Sequence, residues 1–387
     1  MALSTIPFSA LSSDASNQGV NFRNLIINGD MSIAQRGTQA VGGSTGLHYG
    51  GCDRLRVYQE TTASAYTLSQ DTNVPTAQGF AKSFKLDVTT ADASLTAGDR
   101  VDLIYRFEGQ ELQHIKKGTS SAESLTLSFW VSSPKTGTHI VELFDSDNTR
   151  QISKSYTVSS ANTWEKKTIT FEGDTSGALN NDNNLSLQIS WWLMAGSNFT
   201  SGTLSTSWTS NTNANRAVGQ VNVMDSTSNN FYLTGVQLEV GTSASDFEFL
   251  PHDINLQRCQ RYFYSTMYIN EANSFTAPTN NGIELSGDRH QFADVTGSRS
   301  QSVTHPYPMR GQPTVTFYNA NNSGASGQFR LYAQNGSSQD YGGFVQVHKR
   351  SYINFAGYTG VSVGSSGQSL YIQGIHWKAD AELWLVQ

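Results

Sequence analysis

Between Leu125 and Val131 the chain alternates: Leu125, Leu127, Phe129 and Val131 are apolar, while Thr126 and Ser128 are polar. In an extended chain successive side chains point to opposite faces, so a period of two calls for a strand with one face in a core. The same rhythm recurs in short segments divided by Gly, Asn, Asp and Ser. It predicts strands over Asp53 to Glu60, Ala65 to Gln70, Phe80 to Val88, Val101 to Phe107, Leu125 to Val131, His139 to Phe144, Ser153 to Val158, Trp164 to Phe171, Leu185 to Leu193 and Phe231 to Val240. Many short strands at this spacing make a sandwich or jelly roll. Composition agrees: charged residues are 14% of the 387, against roughly 25% in an ordinary domain, and 34 Gly with many Ser, Thr and Asn take their place. Such a chain lacks the residues that clothe exposed helices. The expected class is all-β: an antiparallel jelly-roll β-sandwich, a short helix, and a smaller C-terminal β-sandwich module.

The expected divisions are an arm at 1–24, the jelly roll at 25–250, a connecting helix at 251–266 and the C-terminal module at 267–387. The arm has no period and only scattered apolar anchors, Leu3, Ile6, Phe8 and Leu11, suited to docking on a partner. Alternatively it is a frayed terminus. Leu256, Cys259 and Phe263 share one face at helical spacing, with Asp253 as N-cap, which predicts a helix from about Ile254 to Tyr264. Off that stripe, Arg258 and Arg261 either bridge to acidic residues of a neighbouring subunit or form a solvated helix face, and the place of QRCQRYF at a domain junction favours a structural role that fixes the angle between the two β-modules. Beyond it, strands are expected at Thr314 to Tyr318, Phe329 to Ala333, Val345 to His348, Ser369 to Gly374 and Ala381 to Leu385, with a hairpin turn at Asn335-Gly336.

The net charge of -6 supplies no field for phosphates, so nucleic acid is not an expected partner. No stretch is long and apolar enough for membrane insertion, and the first residues lack a signal-peptide pattern, so the expected product stays in the cytoplasm that makes it. Cys52 and Cys259 read as separate buried thiols. The eight His show no ligand spacing, and glycine pairs such as Gly42-Gly43 precede no helix, so neither a cofactor nor a catalytic metal is expected. Sugar hydrolysis needs two carboxyl groups about 5–9.5 Å apart. No motif places such a pair, and the expectation is a non-enzyme.

Aromatic rings can stack on sugar rings. Alternation puts Leu187, Ile189 and Trp191 inward and Trp192 on the opposite face, while Trp208 stands in an aperiodic Ser/Thr/Asn stretch, Gly196 to Asn230. Loops of that length serve a function or pack on a neighbour. Trp192 and Trp208 are the candidate glycan-binding residues, with core and interface roles open; Trp130, Trp164 and Trp191 are assigned to the core.

Three stretches carry a resemblance: NLIINGDMSIAQRGT (Asn24 to Thr38), LTGVQLEVGTSASDFEFLPHDINLQRCQRYF (Leu233 to Phe263), and YPMRGQPTVTFYN (Tyr307 to Asn319) with a closing ADAEL (Ala379 to Leu383). They resemble bacteriophage tail-fibre and related virion proteins. That resemblance implies a jelly roll similar to carbohydrate-binding modules, a small C-terminal β-module, and a homotrimeric, particle-bound fibre or spike assembled in the host cytoplasm. Its partners would be other virion proteins, held through the arm, and a host-surface glycan. A purely architectural capsid fibre, decoration protein or tail adaptor is the rival, and a glycan-binding module or depolymerase a further one. Jelly rolls of this kind often hold a structural calcium, which would recruit Asp30 and Glu239, although Asp30 is equally a turn residue.

Overall fold

The structure, a computed structural model, describes residues 22–43, 45–266, 300–319, 325–333, 338–342, 344–348, 350–356, 370–373 and 375–383. The chain forms two compact units. The first takes the described residues within Met1–Ala34, Thr38–Asn255 and Leu383–Gln387; the second takes those within Gln35–Gly37 and Leu256–Glu382.

The first unit is the expected jelly roll. Its strands are β1 (Gln39–Val41), β2 (Gly46–Tyr49), β3 (Arg56–Glu60), β4 (Ala65–Asp71), β5 (Ser83–Thr90), β6 (Arg100–Glu108), β7 (Leu125–Ser132), β8 (Gly137–Asp145), β9 (Arg150–Val158), β10 (Glu165–Phe171), β11 (Leu185–Ala195), β12 (Thr209–Ser210) and β13 (Asn230–Val240). They make a six-stranded sheet in the order β1-β4-β5-β13-β7-β10 and a seven-stranded sheet in the order β12-β9-β8-β11-β6-β3-β2. Every pairing is antiparallel. Between the sheets lies one core, built by the alternating positions: Leu127, Phe129 and Val131 from β7, Val101, Leu103, Tyr105 and Phe107 from β6, and Leu187, Ile189 and Trp191 from β11. Each predicted strand of this unit is present with ends shifted by a few residues; β1, β2 and β12, which are short, escape the pattern.

Residues 22–24, assigned to the arm, are wired into the sandwich. The Phe22 amide donates to Glu248 Oε1 (2.7 Å), Arg23 Nε to Ser245 Oγ (2.8 Å), and Asn24 Nδ2 to the Val236 carbonyl (3.1 Å). Leu3, Ile6, Phe8 and Leu11 lie outside the described residues. A second lock follows. Asn28 takes a left-handed backbone (φ 63°) and its amide donates to the carbonyls of Ile33 and Asp53. Asn255 Oδ1 in turn accepts from the Asn28 backbone N–H (3.0 Å), and its Nδ2 donates to Asp30 Oδ1 (3.0 Å) and Ser32 Oγ (3.0 Å).

The helix α2 (His252–Gln260), which follows α1 (Ser197–Thr200), is shorter than expected, because Phe263–Ser265 is extended as β14. Its buried residues are Asn255 and Cys259, with Tyr262 just beyond, rather than Leu256 and Phe263 along one helix. An asparagine replaces leucine on the inward face because its amide is fully used, which removes the penalty for burying it. Both cysteines are buried free thiols.

In the second unit β14 pairs with β23 (Ile375–Asp380), which pairs with β16 (Thr314–Asn319), and β16 with β17 (Ala325–Ser326). Among the described residues it also holds two three-stranded antiparallel sheets: β15 (Ser300–Thr304), β21 (Tyr352–Ala356), β20 (Phe344–His348), and β19 (Ser338–Gly342), β18 (Gln328–Ala333), β22 (Leu370–Gln373). The turn predicted at Asn335-Gly336 lies outside the described residues. Ala381 to Leu385 is not the strand expected: residues 381–383 are buried coil, and Trp384 onward lies outside the described residues. Arg310 explains the coil. Its Nε donates to the Ala381 carbonyl (2.8 Å) and Nη2 to that of Glu382 (3.2 Å), doing what a neighbouring strand would otherwise do. Arg36 donates to Asp380 Oδ2 (2.9 Å) and Glu382 Oε1 (3.4 Å) with its guanidinium 3.8 Å from the Phe263 ring centre.

His139, on β8, is fully buried against Tyr156, with ring centres 5.4 Å apart. Burial lowers its pKa from 6.5 to about 4, against the pull of the Lys135 carbonyl at Nε2. The unfolded chain therefore takes up this proton first as pH falls. The stability is complete above about pH 6.5 and is lost toward pH 4, by roughly 3 kcal/mol from this group. Urea unfolding at pH 7 and pH 4.5 should show that loss in the wild type and a much shallower one in His139→Phe.

Candidate functional site

The seven-stranded sheet has an unusual outer face. Positions alternating with the core put Arg100, Asp102, Glu142 and Trp192 there, and a sheet face turned to water would not bury them; yet Asp102, Glu142 and Trp192 are 0% exposed. The cover is the polar stretch after β11. Gly196 begins it with its amide on the Asp99 carbonyl (2.7 Å), and its Cα lies so close to the Thr96 carbonyl oxygen that a Cβ would stand 2.1 Å away. Helix α1 follows, and the stretch folds back on itself through Gly202 to Ala214 (2.9 Å), Ser205 to Asn215 (3.1 Å) and Ala217 to Phe199 (2.9 Å) backbone bonds. A second small core of Ile140, Trp192, Ala195, Phe199 and Ala217 closes beneath it.

Where this cover meets the sheet it leaves an open cleft of about 560 Å³, within the ~300–1,000 Å³ range of ligand sites, lined by Glu60, Arg100, Asn198, Phe199, Asn213 and Arg216 among others. Its two arginines are held in the same way. Arg100 donates from Nε and Nη2 to Asp102 (2.8 and 3.0 Å), and Arg216 from Nε and Nη2 to Glu142 (2.8 and 2.9 Å). These are bidentate, charge-assisted pairs, which fix the plane of each guanidinium. Trp192 lies against both, with its ring centre 4.7 Å from the Arg100 guanidinium carbon and 5.2 Å from that of Arg216. Tyr58 (4.8 Å) and Phe199 (5.6 Å) complete the aromatic surround of Arg100. Burial works against the charge of Arg100, but Asp102, with Glu142 and Tyr58, outweighs it and raises its pKa. The Nη1 atoms of both arginines take no protein acceptor among the described residues and remain donors.

Trp192 is therefore corrected from a stacking surface to a buried floor: fully enclosed, it has no face for a ligand, and it works by holding two arginines flat. Trp208 is elsewhere. It is half-buried against the main core, its indole N–H donates to the Glu172 carbonyl (2.8 Å), and the Lys117 ammonium sits 5.1 Å from its ring. Lys117 itself is buried between Asp145 and Asp174, so the face of Trp208 beneath it is closed to a sugar. Trp191 is in the core as expected, whereas Trp130 and Trp164 are half-buried outside it. Asp30 accepts from Ser32 and Asn255, and Glu239 from Ser245 and Gln237, so neither carboxylate is directed at the other. Among the described residues no group of three or more His, Cys, Asp and Glu is placed to hold a metal.

Sequence reasoning missed Glu60, Arg100, Asn198, Phe199, Asn213 and Arg216. One signal was present: Arg100 and Asp102 stand two apart on β6, the spacing that puts opposite charges side by side on one face. Nothing comparable marked Arg216.

No protein-family model matches the chain, and no curated protein matches its sequence. Among solved structures it is similar to a putative sugar binding protein from Bacteroides thetaiotaomicron (TM-score 0.31, 9% identity, over 56% of this chain and 99% of that one). It is also similar to the family 11 carbohydrate-binding module from Clostridium thermocellum (TM-score 0.26, 12% identity, 54% and 98%). A third is the enzymatically active domain of bacteriophage CBA120 tailspike protein 4 (TM-score 0.29, 11% identity, 56% of this chain and 21% of that one), of whose length this chain spans about a fifth. Likeness at this level identifies neither ligand nor activity.

Removing one member of a buried ion pair leaves an uncompensated charge, at a cost of about 3–5 kcal/mol, whereas replacing both with apolar groups is often neutral. Urea titration of Arg216→Met should show that loss, and the double variant Arg216→Met, Glu142→Leu should recover most of it.

Proposed function

We propose that the chain is a non-catalytic attachment protein of a phage virion, a trimeric tail fibre or spike, and that its jelly roll holds a host-surface glycan in the cleft between Arg100 and Arg216. The observation that carries the binding role is the cleft itself: two lining guanidiniums fixed by buried carboxylates and one shared indole, each with an Nη1 that takes no acceptor among the described residues. Preorganised donors of this kind lose little entropy on meeting hydroxyl groups, and Phe199 adds an apolar wall. The virion setting rests on the three stretches that resemble fibre proteins, and the structure gives a reason for their residues. Asn24, Asn28 and Asn255 lock the first unit; Arg36, Arg310 and Glu382 lock the second.

The non-catalytic reading is supported by the state of the acids. Asp102 and Glu142 each have both carboxylate oxygens bound to an arginine, so neither is placed to deliver or accept a proton in hydrolysis. Among the described residues Glu60 is the one carboxylate lining the cleft, without the second that glycoside cleavage requires. In a trimer displayed in many copies, weak sites act together.

Binding of the fluorescently labelled protein to host cells tests the reading directly. The wild type should decorate them and Arg100→Ala, its fold checked by thermal unfolding, should lose at least about tenfold of the signal; equal binding by both would rule out the cleft as the site, and no binding by the wild type would leave only the architectural role. Release of new reducing ends from host polysaccharide would show a depolymerase instead. Light scattering of the purified chain should give a trimer. Removal of residues 1–21, which spares the Phe22 and Asn24 bonds, should leave the fold intact and abolish incorporation into particles.

A further inference from the structure

Around the cleft the charges do not favour an anion. Its two guanidiniums are already matched by Asp102 and Glu142, and Glu60, whose Cα pairs with that of Arg100 across β3 and β6, adds a third carboxylate. The local sum is two positive charges against three negative ones, so the arginines act here as rigid N–H donors rather than as a positive field. Asn198 and Asn213, both exposed on the covering segment, bring neutral amides that donate and accept, and Ser201 brings a hydroxyl.

Resting on the glycan reading above, we propose that the cleft selects uncharged, hydroxyl-rich sugars and rejects acidic ones, and that Glu60 is the residue that sets this preference. Hydroxyl oxygens of such a sugar accept from the Nη1 groups of Arg100 and Arg216. Its hydroxyl protons are accepted by Glu60 and by the Asn198 and Asn213 amide oxygens, and an apolar C–H face meets Phe199. A carboxylated sugar would gain the same arginine contacts but would bring its charge beside Glu60, with no net positive charge to offset the removal of water. Like-charge juxtaposition of this kind is a common source of discrimination between ligands that otherwise fit equally.

The test uses the full chain on an array of immobilised oligosaccharides, half of them neutral (glucose, galactose, mannose, rhamnose and N-acetylhexosamine types) and half bearing uronic or sialic acid carboxylates. Hits are followed by calorimetry at 50 and 500 mM NaCl. Expected are neutral hits whose affinity changes less than about twofold with salt, since no net charge is screened on binding. Hits confined to carboxylated sugars, with affinity falling steeply in salt, would overturn the selectivity while leaving glycan binding in place. An array without hits would instead remove the glycan reading and this inference with it. The variant Glu60→Lys, its fold checked by thermal unfolding, changes the local sum from one net negative to one net positive charge. It should gain binding to the acidic sugars by about tenfold at 50 mM NaCl, and absence of any gain would show that Glu60 does not exclude them.

Discussion

Two carboxylates, Asp102 and Glu142, are placed by strand alternation on a sheet face that is then sealed from water. Burying an ionised carboxylate costs several kcal/mol unless its charge and its lone pairs are both met. In this molecule each is met by one bidentate arginine, and the geometry of that match decides much else. Arg216 belongs to the covering segment, so its bond to Glu142 helps tie that segment to the sheet. Trp192 fills the space between the two guanidiniums, and the packing of α1 through Phe199 follows from it. Satisfying the buried charges thus positions the donors that face the cleft.

A different economy governs the stretches that resemble fibre proteins. Asn28, Asn255 and Arg310 bind backbone carbonyls and amides distant in sequence, where no regular strand is available, and Arg36 binds the carboxylates of Asp380 and Glu382. Side chains that replace a strand's hydrogen bonds must keep both length and donor geometry, so lysine for Arg310 or aspartate for Asn28 would leave buried carbonyls unmet. Residue types in these stretches are accordingly set by the fold. Residues of the cleft answer to other demands and come from separate places: β3, β6 and the segment after β11.

That division explains how much could be read in advance. The period of two is a local signal, and it located the ten longer strands of the jelly roll because each buries one face in a single core. The same alternation placed Trp192 on the outer face, but not its burial, because the cover is a polar stretch without a period. Leu256 and Phe263 suggested a longer apolar helix, whereas the chain turned Asn255 inward and became extended at Phe263, a choice made by hydrogen bonds to Asn28, Asp30 and Ser32 that no window of neighbouring residues contains. Similarly, Ala381 and Leu383 have the spacing of a strand and the burial of one, but Arg310 occupies the carbonyls of residues 381 and 382 that a strand would need.

The cleft is the extreme case of this limit. Arg100 and Arg216 stand more than a hundred residues apart, and each lines the cleft in a plane fixed by its own acid and the shared indole. A free surface arginine would lose rotamer entropy on meeting a sugar and would carry a field that draws any anion. Locked against Asp102 or Glu142, it presents the same N–H groups with the entropy already spent and the field cancelled. The physical consequence is a cleft in which two arginines of fixed plane stand beside Glu60, a lining acid that no arginine holds among the described residues.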